Sequence, residues 1–106
     1  MDTENDPTVR EHKEKEFSWG TLITLEKESD YTIQKLIINR NQEVLLPGEH
    51  TATLNCLILL GEVTISTDES IQSIKSTDHI SISGKSVIII QNSSEGSAIV
   101  IVLKST

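Results

Sequence analysis

Aromatic side chains are scarce in this chain of 106 residues, which has one Phe, one Tyr and one Trp. Basic residues are also few: nine Lys and Arg stand against sixteen Asp and Glu, and the formal net charge is −7. A nucleic-acid surface needs a basic face and often aromatic platforms for the bases. Anionic membranes likewise attract basic segments. We therefore expect neither nucleic acid nor a membrane as a partner.

Cysteine occurs once, at Cys56, so the chain cannot form an internal disulfide. A sequence without disulfides suits a reducing compartment, and its acidic N-terminus lacks the apolar stretch of a signal peptide. Its apolar runs are much shorter than the roughly 20 residues of a membrane-spanning helix. We therefore predict a cytoplasmic protein in which Cys56, beside an apolar run, is a small buried side chain.

The first sixteen residues, MDTENDPTVREHKEKE, are mostly charged or polar. A segment with so few apolar side chains cannot offset its loss of conformational entropy by burial. We therefore predict a flexible, disordered acidic tail over residues 1–16. The rest of the chain, residues 17–106, is long enough to form one domain with its own core.

Beyond residue 17 the apolar residues fall in short runs rich in Ile, Val and Leu. Some runs alternate with polar residues, as in His79–Ser83, and turn residues such as Pro47-Gly48 and Asn92-Ser93-Ser94 separate them. Eight or nine strands at intervals of about ten residues fit this spacing. The pattern predicts an all-β sandwich or barrel.

Three landmarks, in this order, resemble the cupin superfamily: Trp19-Gly20 at the first strand, the block from Pro47 to Ser66, and the block from Thr77 to Asn92. The likeness covers about residues 17–103. It is strongest to the cupin domain of type II mannose-6-phosphate isomerases and of bifunctional mannose-1-phosphate guanylyltransferases. The resemblance implies a single jelly-roll β-barrel. It also implies a homodimer, because cupins commonly pair through their sheets.

The metal-binding motifs of that family are altered in this sequence. The resemblance places the two ligand histidines of the first motif at Glu49 and Thr51, and its ligand glutamate at Leu54. In the second motif it places a histidine at Ile88. Aliphatic side chains offer no lone pair to a divalent ion, which needs about three or more protein ligands. We therefore expect no metal and no other cofactor.

Two sets of candidate site residues follow from the resemblance. The predicted ligand-binding positions in the barrel interior are Thr51, Thr53, Leu54, Cys56 and Ile88. The two threonine hydroxyls could bind a small polar ligand or could satisfy the local backbone. Should a metal be present after all, its ligands would be Glu49, His50 and His79, although strand alternation points His79 outward.

The favoured hypothesis is a degenerate, metal-free cupin without catalytic activity. It would act as a small-molecule-binding module or as a protein-interaction and assembly module. The alternative is a sugar isomerase, of the mannose-6-phosphate type, or an epimerase-like enzyme that works at a site other than the metal motifs. Metal-free epimerases of related shape use a histidine base, an aspartate and a tyrosine, and Tyr31 is the only tyrosine in this chain.

Overall fold

A computed structural model describes residues 13–47, 52–84 and 87–105. None of these residues lies in a helix, and so none belongs to a helix that could cross a membrane. They form ten strands: β1 (Lys13–Phe17), β2 (Gly20–Lys27), β3 (Tyr31–Ile38), β4 (Glu43–Pro47), β5 (Thr53–Leu60), β6 (Glu62–Thr67), β7 (Ile71–Lys75), β8 (His79–Ser83), β9 (Val87–Asn92) and β10 (Ala98–Ser105).

The ten strands form two antiparallel sheets. The six-stranded sheet has the order β1-β2-β3-β10-β5-β8, and the four-stranded sheet has the order β4-β9-β6-β7. Neighbours in each sheet are often far apart in sequence, as β3 and β10 are, which is the arrangement of a jelly roll. The prediction of an all-β domain is confirmed.

Alternating side chains build the core between the two sheets. In β9, for example, Ile88, Ile90 and Asn92 are buried, whereas the residues between them are more exposed, because successive side chains of a strand point to opposite faces. Fifteen buried residues form one core cluster: Leu36, Ile38, Val44, Leu54, Cys56, Ile58, Val63, Ile65, Ile74, Ile82, Ile88, Ile90, Ala98, Val100 and Val102.

The core cluster lies over only part of the six-stranded sheet. Its members come from β3, β10, β5 and β8 of that sheet, and none comes from β1 or β2. These two strands therefore extend the sheet beyond the core as a two-stranded wing, which packs against the core cluster through Leu22 of β2. We call the side of the six-stranded sheet that carries the core the inner face, and the opposite side the outer face.

The tail prediction was wrong for residues 13–16. They belong to β1, which pairs along its whole length with β2 and ends where the rings of Phe17 and Trp19 stack, with centroids 5.2 Å apart. All five side chains of β1 are exposed, so the hydrophobic signal on which the prediction relied is absent from this strand. Residues 1–12 lie outside the described residues.

A candidate ligand groove

The two interior positions at which the resemblance places metal ligands are filled with core side chains. Leu54 is 7% exposed and Ile88 is 3% exposed, and both belong to the core cluster. Within residues 13–47, 52–84 and 87–105, no group of three or more His, Cys, Asp or Glu side chains could hold a metal ion. The described residues therefore do not fit the metal that the fold family implies.

The remaining candidates for a metal site are not gathered inside the barrel by the described structure. His79 is exposed and pairs with Leu57 on the outer face, because it alternates with the inward-facing Ile80 and Ile82. Glu49 and His50 lie outside the described residues.

The predicted ligand-binding residues in β5 divide between the two faces. Thr53 alternates with the buried Leu54, so it lies on the outer face, where its hydroxyl is 3.1 Å from that of Ser83. The structure therefore does not place Thr53 in the barrel interior, as the resemblance had implied. Cys56 points inward but is only 1% exposed, and this burial raises the pKa of its thiol to about 12. Such a thiol is a poor nucleophile. Thr51 lies outside the described residues.

A groove of about 690 Å³ lies on the inner face at the wing, next to the filled core. Its volume is in the range of small-molecule sites. Strands β1, β2, β3 and β10 and the turn after β2 contribute its lining: Lys13, Lys15, Leu22, Thr24, Leu25, Glu26, Lys27, Glu28, Thr32, Gln34 and Lys104. We call this feature the lysine groove, because four lysines line it.

Strand register explains why residues so distant in sequence meet in the lysine groove. One row across the inner face runs from Lys13 through Thr24 to Gln34. The next row contains Thr32 with Lys27 on one side and Lys104 on the other. The polar residues therefore form a floor of two hydroxyls and one amide, and lysines stand around it.

The floor is held by a hydrogen bond between its own side chains. The Gln34 amide nitrogen donates to the hydroxyl oxygen of Thr24 at 3.3 Å. The Gln34 amide oxygen and the Thr32 hydroxyl add an acceptor and a donor–acceptor group. A ligand with hydroxyl groups would find both donors and acceptors on this floor.

Strand β1 sorts its charges between the two faces. Lys13 and Lys15 line the groove on the inner face, whereas Glu14 and Glu16 alternate with them and face outward. Glu16 accepts a hydrogen bond of 3.2 Å from the hydroxyl of Thr21 on the outer face. A run that the sequence analysis assigned to a solvated tail thus supplies two of the four lysines. The signal that could have found it is the strict alternation Lys-Glu-Lys-Glu, which has the period of a strand.

Tyr31, the tyrosine that an epimerase-like mechanism would need, is engaged elsewhere. Its hydroxyl donates a hydrogen bond to the Glu26 carboxylate. This bond, followed by desolvation and by the charges of Glu26, Glu28 and Asp30, raises the pKa of Tyr31 to about 12. A phenol with a raised pKa gives up its proton less readily than an ordinary one, which does not favour the alternative hypothesis.

A second cavity, of about 160 Å³, lies between the edge strands of the two sheets. It is lined by Ile65, Thr67, Ser70, Gln72, Ile80, Ser81, Ile82 and Ser83. It is smaller than most small-molecule sites and no charged side chain is part of its lining. The lysine groove is therefore the better candidate site.

Comparisons with known proteins give structural likeness without sequence likeness. No family profile and no curated protein matches the chain. The cupin domain of Cnp3 from Schizosaccharomyces pombe matches with a TM-score of 0.70 at 13% identity, over 80% of this chain and 64% of that one. The Cupin_2 domain of an XRE family transcriptional regulator from Enterobacter cloacae matches with a TM-score of 0.69 at 14% identity, over 91% of this chain and 95% of that one. KdgF from a Halomonas species matches with a TM-score of 0.74 at 11% identity, over 89% of this chain and 86% of that one.

These structural neighbours are cupin-superfamily proteins with different roles. The chain spans slightly less than two thirds of the length of the S. pombe domain. At such low identity the likeness shows the fold and leaves the function open, and the particular resemblance to mannose-6-phosphate isomerases stays a prediction. The chain therefore has the jelly-roll fold of the cupin superfamily, as its sequence predicts.

Proposed function

We propose that this chain is a metal-free cupin without catalytic activity that binds a small polar molecule in the lysine groove. One observation carries the proposal: a concave surface of about 690 Å³ whose lining brings together the polar side chains of Thr24, Thr32 and Gln34. Small-molecule sites combine such a volume with a few convergent polar groups. The adjoining interior holds Leu54 and Ile88, whose side chains support packing and not metal chemistry.

Nuclear magnetic resonance with a panel of neutral and charged small molecules tests this site. We expect binding compounds to shift the backbone amide signals of Thr24, Thr32 and Gln34. Gln34→Leu keeps the side-chain volume but removes the floor amide, so it should weaken binding. Gln91→Leu, at an exposed position of β9, is the matched control and should leave binding unchanged. Shifts confined to the cavity between the sheet edges, or no shifts, would overturn the proposal.

Metal content tests the metal-free part of the proposal. The protein would be purified without a tag or chelator and its metals measured by elemental analysis. We expect well below one equivalent of iron, manganese, nickel or zinc per chain. A stoichiometric metal would contradict the proposal and would make Glu49, His50 and His79 the residues to substitute first.

We also propose that the chain pairs with a second copy through the outer face of the six-stranded sheet. The three central strands carry apolar side chains there, although this chain places nothing over them in the described structure: Ile33, Ile37, Leu57, Leu60, Ile99, Ile101 and Leu103. Leu57 and Leu60 are 39% and 50% exposed. Strands that are apolar on both faces are typical of sheets covered on both sides.

The size of the outer face suits a second copy as its occupant. Six strands of up to eight residues cover roughly 24 Å by 27 Å, or about 650 Å². A standard interface buries about 800 Å² per partner. The centre of the face is aliphatic around one charged residue, Lys35 of β3, which lies beside Ile101. A twofold dimer brings the same patch together on both copies.

Analytical ultracentrifugation tests the dimer. We expect the wild-type chain to be dimeric and Leu57→Lys to be monomeric, because the substitution places a charge in the contact. Leu45→Lys, at a leucine of β4 that is 64% exposed, is the matched control and should remain dimeric. A monomeric wild type, or dissociation of both variants alike, would contradict the interface.

A further inference from the structure

The lysine groove concentrates positive charge in an acidic protein. The chain has nine Lys and Arg in total and a formal net charge of −7. Four of these nine bases line the groove, against two glutamates, Glu26 and Glu28, so that the lining carries a net charge of +2. Because the rest of the surface repels anions, the groove is a local site at which an anion is attracted.

The lysines approach the floor from two sides. Lys13 belongs to β1, at one edge of the groove, and Lys104 belongs to β10, three strands away. At about 4.8 Å between neighbouring strands, with an offset of two residues along them, the two Cα positions are roughly 16 Å apart. Lys27 lies between them, opposite Thr32. A ligand with anionic groups at both ends can contact lysines on both sides at once.

The floor between these lysines selects for hydroxyl groups over rings. Thr24, Thr32 and Gln34 present hydroxyl and amide groups, and the hydrogen bond from Gln34 to Thr24 orients those two side chains relative to each other. No aromatic side chain is part of the described lining, so a flat base or an aromatic acid would have no stacking partner. The chemistry of the floor matches a hydroxylated aliphatic chain.

We propose that the ligand of the lysine groove is a small hydroxylated organic dianion with an anionic group at each end. This inference rests on the proposed function and adds the chemical class of the ligand. A dianion neutralises the net charge of +2 on the lining. Its terminal anionic groups accept charge-assisted hydrogen bonds from the lysine ammonium groups, while its hydroxyls exchange hydrogen bonds with the floor.

A matched ligand series tests the proposal on the whole chain by calorimetry and by amide shifts. Glucarate, gluconate and glucitol share a hydroxylated six-carbon skeleton and carry two, one and no carboxylates. We expect affinity to fall in that order, with at least about a tenfold difference between the first and the last, and sulfate to bind more weakly than glucarate. If glucitol bound as tightly as glucarate, the proposal of a dianionic ligand would be overturned and the proposed function would stand. Sulfate binding as tightly would also overturn it. If none of these compounds shifted groove amides, the dianion proposal would fail, whereas the proposed function would fail only if the wider panel also gave no shifts.

Substitution of lysines supplies the second arm of the test. Lys13→Gln combined with Lys15→Gln should lower glucarate affinity by about tenfold or more and should bring it close to that of glucitol. Arg40→Gln combined with Lys75→Gln removes the same charge at exposed positions outside the groove and should have little effect. Equal losses in the two double variants would show a general charge effect and would overturn the proposal. Glu14→Gln with Glu16→Gln, on the opposite face of β1, controls for disruption of the strand and should not weaken binding.

Discussion

The side-chain amide nitrogen of Asn92 lies 2.9 Å from the carbonyl oxygen of Ile38, to which it donates a hydrogen bond across the ends of two strands. The same nitrogen lies 3.2 Å from the carbonyl oxygen of Asn39 and 2.8 Å from that of Gly96. Its oxygen accepts a hydrogen bond of 2.9 Å from the backbone nitrogen of Ser94. Asn92 is only 2% exposed, and from β9 of the four-stranded sheet it satisfies backbone groups at the end of β3 in the six-stranded sheet and in the loop before β10.

Asn92→Ala should lower the free energy of unfolding by about 1–3 kcal/mol, because it leaves buried carbonyl oxygens without a donor. Asn92→Asp should also destabilise the protein, since an ionised carboxylate only accepts hydrogen bonds. The measurement is urea denaturation followed by circular dichroism. Asn55→Ala, at a half-buried position of the outer face, is the control. Equal midpoints for wild type and Asn92→Ala would show that the network contributes nothing to stability.

Leu54→Ala and Ile88→Ala should each destabilise the protein by about 2–5 kcal/mol, because both side chains fill the core and truncation leaves a cavity. Leu45→Ala removes the same atoms as Leu54→Ala from a leucine that is 64% exposed and should cost much less. Chemical denaturation gives all three values. If the two core variants unfolded at the wild-type midpoint, the positions would not be core.

Gly20→Ala should destabilise the protein strongly. Gly20 has a φ of +146°, and a Cβ at this position would lie 1.9 Å from the carbonyl oxygen of Ile37. The backbone would have to move at the pair that joins β2 to β3. Gly96→Ala is the matched control, since its Cβ would meet nothing within 4 Å. Thermal unfolding should give a clearly lower midpoint for Gly20→Ala alone; similar midpoints for both variants would contradict the close contact.

Stability should fall in alkali partly because of Cys56. Burial raises the pKa of this thiol to about 12 in the folded state, whereas an ordinary thiol has a pKa of about 8.5. The raised pKa means that the folded state retains a proton that the unfolded state releases. The contribution to stability is therefore complete below the unfolded pKa and is lost as the pH rises towards the folded pKa, at up to about 1.4 kcal/mol per pH unit.

Urea denaturation of wild type and Cys56→Ala between neutral pH and pH 10.5 measures this contribution as a difference. The wild type should lose more stability than Cys56→Ala across the alkaline part of the range. The native thiol should also react slowly with a disulfide reagent until urea unfolds the protein. If the free energy of unfolding changed with pH in the same way for wild type and Cys56→Ala, or if the native thiol were labelled fast, the burial of Cys56 would be contradicted.

The strands of the core could be predicted from sequence because their signal is local. The run from Ala98 to Leu103 and the alternation around Ile80 and Ile82 are visible without knowing any neighbour. Strand β1 could not be found in the same way, since its side chains are exposed and, among the described residues, the strand with which it pairs is β2. Propensity and burial patterns give little information on such an edge strand.

The lysine groove could not be predicted, because it depends on which strands are neighbours. Once β1 is known to be a strand, alternation places Lys13 and Lys15 on one face, but the sequence does not show that Thr32 lies between Lys27 and Lys104. That arrangement follows from the antiparallel register of three strands that are distant in sequence. The family resemblance directed attention to Leu54 and Ile88, which the structure places in the core beside the groove.

The position of β10 at the middle of the six-stranded sheet has a consequence for synthesis of the chain. The strand covers residues 98–105, yet it separates β3 from β5, which are made much earlier. While the ribosome is still translating, β3 and β5 lack the partner that joins them, and their apolar edges stay available to other chains. The six-stranded sheet can therefore close only after residue 105 has left the exit tunnel, and until then the open edges of β3 and β5 can pair with the wrong partner.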